Sequence, residues 1–132
     1  MRISTKSQYG LRAMVYLARI FKEKKISPLR KIAKKENIPL DYLEKIISKL
    51  EKEGLVNSKK GVKGGYFLAK SPKKIKIGRI IKVLEGEMVL VKCLKYFCPK
   101  EKKCLTKNFW QKLNRAINKT LNSMTLVDLI EK

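Results

Sequence analysis

The sequence predicts a mostly α-helical fold with a single small β-hairpin. Two helical segments meet at a tight turn over residues 36–39. A hairpin rich in glycine and lysine follows them directly, and an apolar stripe with helical spacing lies near the end of the chain. These three observations predict two packed helices, a projecting hairpin and a long C-terminal helix.

The charge of the chain is strongly positive and unevenly distributed. The formal net charge is +22 over 132 residues. Residues 1–82 contain 23 of the 33 lysines and arginines but only 6 of the 11 acidic residues. Such a field attracts polyanions, with nucleic acid first and an anionic membrane second. The alternative is a lysine-rich surface that is only solvated.

Composition argues against several classes of protein. The chain has no histidine, which removes the commonest general base and the commonest nitrogen ligand for metals. No constellation of serine, cysteine and aspartate suggests catalysis, and the glycines at 61–65 lack the spacing of a nucleotide loop. No apolar run approaches the roughly 20 residues of a membrane span, and the N-terminus lacks the apolar stretch of a signal peptide. We therefore expect a cytoplasmic protein that is not an enzyme, with no membrane partner and with reduced cysteines.

The first two helices are predicted from apolar spacing and end signals. A helix over residues 5–22 follows a cap signal at Ser4. Ser27 is expected to cap a second, short helix that has Pro28 at its first position. Asn37 is suited to ending that helix.

Pro39 opens a third helix, which runs to about Lys52 and is stopped by Gly54. Its apolar stripe consists of Leu40, Leu43, Ile46, Ile47 and Leu50. The opposite face carries Asp41, Tyr42, Glu44, Lys45, Ser48, Lys49 and Lys52. Two helices joined by a tight turn form a helix-turn-helix, although such pairs also occur in unrelated bundles.

The hairpin makes the helix-turn-helix interpretation more specific. Residues 55–60 and 66–69 are expected to be strands, joined by the glycine-rich tip at 61–65. A helix-turn-helix followed by a basic hairpin is a winged helix. The third helix would then enter the major groove of DNA, and the wing would lie along phosphates or in the minor groove. The alternative is a hairpin that only covers the core.

A last long helix is predicted over residues 106–123. Its apolar stripe consists of Phe109, Trp110, Leu113, Ala116, Ile117, Leu121 and Met124. One helix beside a small domain cannot bury such a stripe alone, so pairing with its copy in a two-fold dimer is expected. Part of the stripe would instead pack on its own domain. Residues 125–128 resemble a capping box for a short terminal helix.

All three cysteines lie in one twelve-residue loop, at Cys93, Cys98 and Cys104. A structural zinc site needs four ligands and usually shows closely paired cysteines, which this loop lacks. Incidental burial is uncommon for three cysteines this close together. An iron–sulfur cluster and a thiol redox switch remain, and ligand preference favours the cluster. The neighbouring lysines favour thiolates and offset the negative charge of a ligated cluster.

Several motifs in the right order resemble one family, the IscR/NsrR-type winged-helix transcription regulators. They include M-R-I-S-T-K-x-x-Y-G-L-R-A, P-L-D-Y-L-E-K-I-I-S-K-L-E-K-E-G-L-V, K-G-V-K-G-G-Y-F-L-A, C-L-T-x-x-x-W and T-L-V-D-L. The resemblance implies a homodimeric bacterial DNA-binding regulator whose three loop cysteines hold an iron–sulfur cluster. It also implies that Tyr42 and Glu44 face DNA, and that Lys60 and the glycine tip form the wing.

Two positions depart from the family pattern. A histidine ligand of the IscR type is replaced by Lys107, and an aspartate ligand of the NsrR type is replaced by Gln8. A protonated lysine has no lone pair for a metal. The fourth ligand is open among Glu101, Glu85, Glu87, Gln8, a small thiol and solvent, and the cluster can be 2Fe–2S or 4Fe–4S.

These features predict a homodimeric transcriptional repressor that binds a two-fold symmetric operator in double-stranded DNA. The expected regions are the winged helix-turn-helix at 1–85, the cysteine loop at 86–105, and the dimerisation helix with its tail at 106–132. Predicted DNA-binding residues are Pro39, Asp41, Tyr42, Glu44, Lys45, Lys49, Lys59, Lys60, Lys63 and Gly64. Predicted dimerisation residues are Trp110, Leu113, Ile117 and Leu121.

Three alternatives stay open. The first is a cluster-free winged-helix repressor whose cysteines sense redox state as thiols. The second is a small electron carrier, for which three cysteines are one short of the usual ligand set. The third is a basic RNA-binding protein, although no aromatic stacking surface of that type is visible.

Overall fold

A computed structural model describes residues 2–87, 89–91, 94 and 104–131 of the chain. In these ranges the chain forms six α-helices and one antiparallel hairpin. The elements in chain order are α1 (Thr5–Phe21), α2 (Leu29–Glu36), α3 (Leu40–Lys52), β1 (Val56–Lys59), β2 (Gly65–Leu68), a 3-10 turn (Pro72–Lys74), α4 (Ile77–Glu85), α5 (Lys107–Ser123) and α6 (Leu126–Ile130). No helix in the described part of the chain is long and apolar enough to cross a membrane. The predicted winged-helix fold, mostly α with a small hairpin, is confirmed.

Local end signals fix several of the helix boundaries. The Ser7 amide donates to the Ser4 side chain at 3.3 Å, which caps α1. Asn37 ends α2 in the left-handed conformation, with φ of 53°. Gly54 follows α3 with φ of 79°, a backbone conformation that glycine adopts without steric cost.

The predicted start of α2 is wrong. Pro28 lies just before the helix rather than at its first position, and Ser27 makes no cap. The backbone of Ser27 instead bridges β2. Its amide donates to the Tyr66 carbonyl at 3.0 Å, and the Tyr66 amide donates back at 2.7 Å. A long-range backbone pair therefore takes the place of the local cap, and the Ser27 hydroxyl lies 3.2 Å from that of Tyr16.

The hairpin depends on close backbone approach at two glycines. β1 and β2 pair antiparallel, with Lys59 opposite Gly65. A Cβ on Gly65 would lie 2.3 Å from the Ser27 carbonyl oxygen. A Cβ on Gly64 would lie 2.0 Å from the Lys59 carbonyl oxygen. Any larger residue at either position would therefore have to displace backbone.

The core is built around α1, which packs against α2, α3, α4, α6 and β2. Gly10 permits the close crossing of α1 and α4, since a Cβ there would meet a methyl group of Leu84 at 2.2 Å. The chain end returns to the same core, because Leu126 on α6 is completely buried. The predicted capping box precedes it, with the Thr125 amide donating to Asp128 at 2.8 Å. The final helix therefore packs with the winged helix.

Candidate DNA interface and cysteine loop

The two faces of α3 differ sharply in exposure. Leu43, Ile46, Ile47 and Leu50 are buried, as the apolar stripe predicts. All the predicted contact residues of this region are exposed, namely Pro39, Asp41, Tyr42, Glu44, Lys45 and Lys49. The burial of one stripe against α1 and α2 holds the opposite, charged stripe outward.

Tyr42 is held by a contact that crosses from α3 to α1. Its ring meets the Tyr9 ring edge-on, with centroids 5.5 Å apart and an interplanar angle of 87°. The Arg12 guanidinium lies 5.4 Å from the centroid of the Tyr9 ring. Tyr42 is still 38% exposed. One edge of this side chain is therefore fixed, while the rest is available to a ligand.

The groove beside Tyr42 contains a cation that sequence reasoning missed. It is lined by Lys6, Pro39, Asp41, Tyr42, Lys45 and Ile46. Lys6 lies in the first turn of α1 and is far from α3 in sequence. It could have been suspected only from the basic, acid-free start of α1. In the folded chain it adds a positive charge beside Tyr42.

The tip of the wing presents an exposed basic surface. Lys59, Lys60 and Lys63 are exposed, and Gly64 is half-buried in the turn between the strands. The wing is joined to the end of α3 because the Ser58 hydroxyl donates to a Glu51 carboxylate oxygen at 2.6 Å. The predicted wing lysines and the exposed face of α3 thus belong to neighbouring elements.

The Glu85 carboxylate joins the end of α4 to the start of α1. It accepts a hydrogen bond from the Ser4 amide at 2.8 Å and another from the Ser7 hydroxyl at 2.7 Å. The Ser4 hydroxyl also donates to it. These hydrogen bonds, first that from Ser4 and then that from Ser7, hold the pKa of Glu85 below its ordinary value. We refer to Ser4, Ser7 and Glu85 as the carboxylate clamp.

The cysteine loop lies only partly within the described residues. Cys93, Cys98 and the candidate ligand Glu101 lie outside them. Cys104 is half-buried, and its Sγ lies 3.4 Å from the Thr106 hydroxyl oxygen. Within the described ranges no three cysteine or carboxylate side chains come together as a metal site. Three thiolate donors match the ligand chemistry of iron–sulfur clusters, but only one of them belongs to the described part.

Three candidates for a fourth ligand have described surroundings. The carboxylate clamp already engages the Glu85 side chain with several hydrogen bonds. The Gln8 side-chain amide donates to the Ile3 carbonyl at 3.0 Å. Glu87 is exposed just after α4. Recruiting Glu85 would break the clamp, so Glu85 fits a structural role better than a ligand role.

Helix α5 has no buried residue in this single chain. Trp110, Leu113 and Ile117 are all partly exposed, and Phe109 is 58% exposed. The helix is anchored at its C-terminal end, where Leu121 packs on the core of its own chain. The apolar stripe therefore divides into an anchored end and a surface that the core of this chain does not cover.

The fold and the exposed basic surface define a class of protein: a DNA-binding winged helix-turn-helix regulator of transcription. A sequence model of the Rrf2 family, described as an iron-dependent transcriptional regulator, matches residues 3–132. This chain belongs to the Rrf2 family.

Individual relatives agree with this assignment. IscR of Serratia proteamaculans, an HTH-type transcriptional regulator, is 35% identical over 131 residues, covering 98% of this chain and 79% of the relative. The structure of T. potens IscR is 38% identical with a TM-score of 0.79, covering 99% and 87%. The structure of CymR, the global cysteine regulator of B. subtilis, is 38% identical with a TM-score of 0.82, covering 98% and 95%. The expectation of a regulator rather than an enzyme is confirmed.

Proposed function

We propose that this chain is a homodimeric transcriptional repressor whose DNA binding is controlled by an iron–sulfur cluster on the three-cysteine loop. One observation carries the proposal: the chain combines an exposed basic surface suited to DNA with a three-cysteine loop. The loop begins directly after Glu85, the residue of the carboxylate clamp at the end of α4. The proposed regions are the winged helix at 1–85, the cysteine loop at 86–105, and the dimerisation helix with its tail at 106–132.

We propose that some residues at the DNA contact read base edges, while others bind phosphates and position the protein on the duplex. Tyr42 and Glu44 read base edges from the exposed face of α3, since side chains on that face can enter a major groove. The remaining proposed contacts are Pro39, Asp41, Lys45, Lys49, Lys59, Lys60, Lys63 and Gly64. The lysines among them neutralise phosphates, and Lys6 extends this cationic surface onto α1. Gly64 contributes by letting the wing backbone turn tightly.

The dimer is proposed to form through the uncovered part of α5. Trp110, Leu113 and Ile117 supply the apolar surface, and Leu121 links it to the core of the chain. A two-fold pair of α5 helices would bury a stripe that one chain leaves exposed. Two copies of α3 would then meet two half-sites of a symmetric operator.

Cys93, Cys98 and Cys104 are the residues proposed to hold the cluster. When bound, an iron–sulfur cluster supplies a centre whose charge and ligation change with oxidation, iron supply or nitric oxide. The lysines of the loop favour the thiolate forms that bind iron. Lys107 and Gln8 stand where family relatives have ligands, and a protonated lysine cannot bind a metal, so the fourth ligand is left among Gln8, Glu85, Glu87, Glu101, a small thiol and solvent.

A route from the loop to DNA is proposed through the carboxylate clamp. Glu85 immediately precedes the loop and holds the first turn of α1. One helical turn further on, Tyr9 contacts Tyr42 on the exposed face of α3. A change at the loop that shifts Glu85 would therefore shift the support of a DNA-reading side chain.

Anaerobic purification tests the cluster. We expect a coloured protein, with iron and sulfide bound in comparable amounts per chain and an absorption band that bleaches on chelation. Cys98→Ser should lose the colour and the iron, while circular dichroism stays that of a folded helical protein. A colourless wild-type protein that takes up no cluster on reconstitution would contradict this part of the proposal. The DNA-binding part is tested separately, by selection from a random duplex library.

A thiol-sensing repressor is the second candidate, and the likeness to CymR, which has also been solved in an oxidized form from Staphylococcus aureus, favours it. In that case peroxide would join two of the three thiols as a disulfide, with loss of two protons and two electrons to the oxidant. Mass spectrometry of the iron-free protein would show the bond. Restoration of DNA affinity by dithiothreitol, without iron, would support this candidate over the cluster.

A further inference from the structure

A cavity of about 610 Å³ lies between the end of α1, β2, the 3-10 turn and α6. This volume falls within the range of small-molecule binding sites. Its apolar walls include Phe21, Phe67, Pro72, Val127 and Ile130. Only Pro72 among these five is buried, and the others keep part of their surface exposed. The cavity is therefore an open apolar recess.

Positive charge surrounds this recess. Lys22, Lys24, Lys25 and Lys73 also line it, and all four side chains are exposed. Lys25 pairs with Glu23 at 2.7 Å, which offsets one of these charges. Glu131 is the acidic residue among those lining the cavity. The lysines exceed the acids, so the recess joins an apolar interior to a cationic border.

We propose that this recess binds a small organic anion with an apolar body, such as an acyl or aryl carboxylate. The apolar part would cover the aromatic and aliphatic walls, and the removal of this apolar surface from water favours binding. The carboxylate would stay at the exposed border, where lysine ammonium groups can hydrogen-bond to it. A nucleic-acid backbone fits less well, because it would leave the apolar walls uncovered.

The recess lies next to the element that carries the wing. Phe67 and Leu68 belong to β2 and line the cavity. Ile26 lines it too, and the next residue, Ser27, forms the backbone bridge to β2. A ligand would therefore contact both sides of that bridge. The inference stands apart from the proposed DNA function, because binding is measured without DNA.

Sodium decanoate is the probe, used below its micellar concentration with the full-length protein. Isothermal titration calorimetry should show saturable binding, and ¹H–¹⁵N NMR shifts should centre on Phe21, Phe67, Val127 and Ile130. Decylammonium has the same chain with the opposite charge, and it should bind at least about tenfold more weakly. Equal affinity for the two probes, or shifts centred on α5, would overturn the proposal.

Two kinds of variant separate the cavity from the general positive charge of the protein. Val127→Trp fills the recess and should weaken decanoate binding by about tenfold or more; Ile130→Trp replaces it if Val127→Trp does not fold. Lys22→Gln with Lys73→Gln should weaken binding by about two- to fivefold. Lys112→Gln with Lys119→Gln makes the same change in net charge on α5 and should leave affinity unchanged. Undiminished binding in a folded cavity-filling variant, or equal losses in the two lysine pairs, would overturn the proposed site.

Discussion

At the scale of single residues, we propose separable roles for the exposed side chains of α3 and the wing. The lysines on these elements are exposed to solvent, which suits contact with phosphates. Tyr42 differs, because the edge-on contact with Tyr9 restricts its position. A side chain held in place can discriminate between base edges, whereas a cation that contacts phosphates does not read sequence. Substitutions of the two kinds should therefore give different signatures.

Lys49→Gln should weaken binding to all duplex sequences alike. Removing one phosphate contact should reduce the slope of log affinity against log salt by about one. The measurement is fluorescence anisotropy with the selected operator and with a random duplex, at several salt concentrations. Lys119→Gln on α5 is the matched control and should leave the slope unchanged. A loss confined to the operator would instead assign Lys49 to base reading.

Glu85→Gln should make stability less dependent on pH. The pKa of Glu85 is lowered from its ordinary value of 4.5 in the folded chain. Its contribution is therefore complete above pH 4.5 and is lost as pH falls through the lowered folded value. At neutral pH the substitution should lower the free energy of unfolding by about 1 kcal/mol, since the amide accepts weaker hydrogen bonds.

Urea unfolding followed between about pH 7 and pH 3 measures this effect. The curves of the wild type and Glu85→Gln should converge at the acid end, where both side chains are neutral. The exposed Glu44→Gln serves as the control, because no clamp surrounds it. A constant difference between wild type and Glu85→Gln across the range would show that the clamp does not depend on the carboxylate charge.

At the scale of elements, the wing is held by backbone contacts that its own residues cannot provide. The bridge between Ser27 and Tyr66 adds a third backbone segment to a two-stranded hairpin. An isolated hairpin of four-residue strands is marginally stable in water. The orientation of the wing lysines therefore depends on the segment that connects α1 with α2.

Gly65→Ala should disturb the wing while the helical core stays folded. The added methyl group would lie 2.3 Å from the Ser27 carbonyl oxygen, which is closer than van der Waals contact allows, so the bridge must open. We expect a loss of about 1–3 kcal/mol in stability and faster amide exchange at Tyr66. Gly61→Ala is a matched substitution in the same turn, where a Cβ meets no atom within 4 Å but φ is 116°. Gly61→Ala should strain only the tip and leave amide exchange at Tyr66 unchanged. Unaltered exchange at Tyr66 in Gly65→Ala would contradict the role of the bridge.

At the scale of the whole molecule, α5 is anchored to the domain core at its C-terminal end, and the rest of the helix presents an apolar surface that a second chain can cover. The anchored end at Leu121 is close to Gly78, where a Cβ would meet the Leu121 carbonyl oxygen at 2.9 Å. A backbone hydrogen bond from the Ile77 amide to the Met124 carbonyl, at 2.9 Å, holds the same junction. A movement of α5 would therefore be transmitted to α4, which ends in the carboxylate clamp.

Ile117→Asp should convert the proposed dimer into folded monomers. A charge in the apolar stripe would have to be buried in the pair, which costs several kcal/mol. Sedimentation should show the change in mass, and affinity for a two-half-site operator should fall much more than affinity for one half-site. Asn118→Asp adds the same charge at an exposed position of α5 and should stay dimeric. Unchanged mass in folded Ile117→Asp would exclude this face as the interface.

Local sequence determined most of the winged helix. The apolar stripe of α3, the left-handed ends at Asn37 and Gly54, and the glycine-rich wing were all predicted, because each depends on residues close in the chain. The prediction of a helix cap at Ser27 was wrong, because the backbone of Ser27 pairs with Tyr66 on the distant strand β2. The cysteine spacing indicated a redox or cluster loop, and the proposed ligand set still rests on sequence.

Only the tertiary structure decided which distant residues meet. The Ser4–Glu85 hydrogen bond joins residues 81 positions apart, and no periodicity in the sequence marks it. The contact of Tyr9 with Tyr42, the place of Lys6 beside α3 and the recess behind β2 arise in the same way. Helix and turn signals act over a few residues, whereas these contacts depend on how the helices cross. For this protein, sequence alone gave the DNA-reading elements, and folding supplied the contacts that can link them to the cysteine loop.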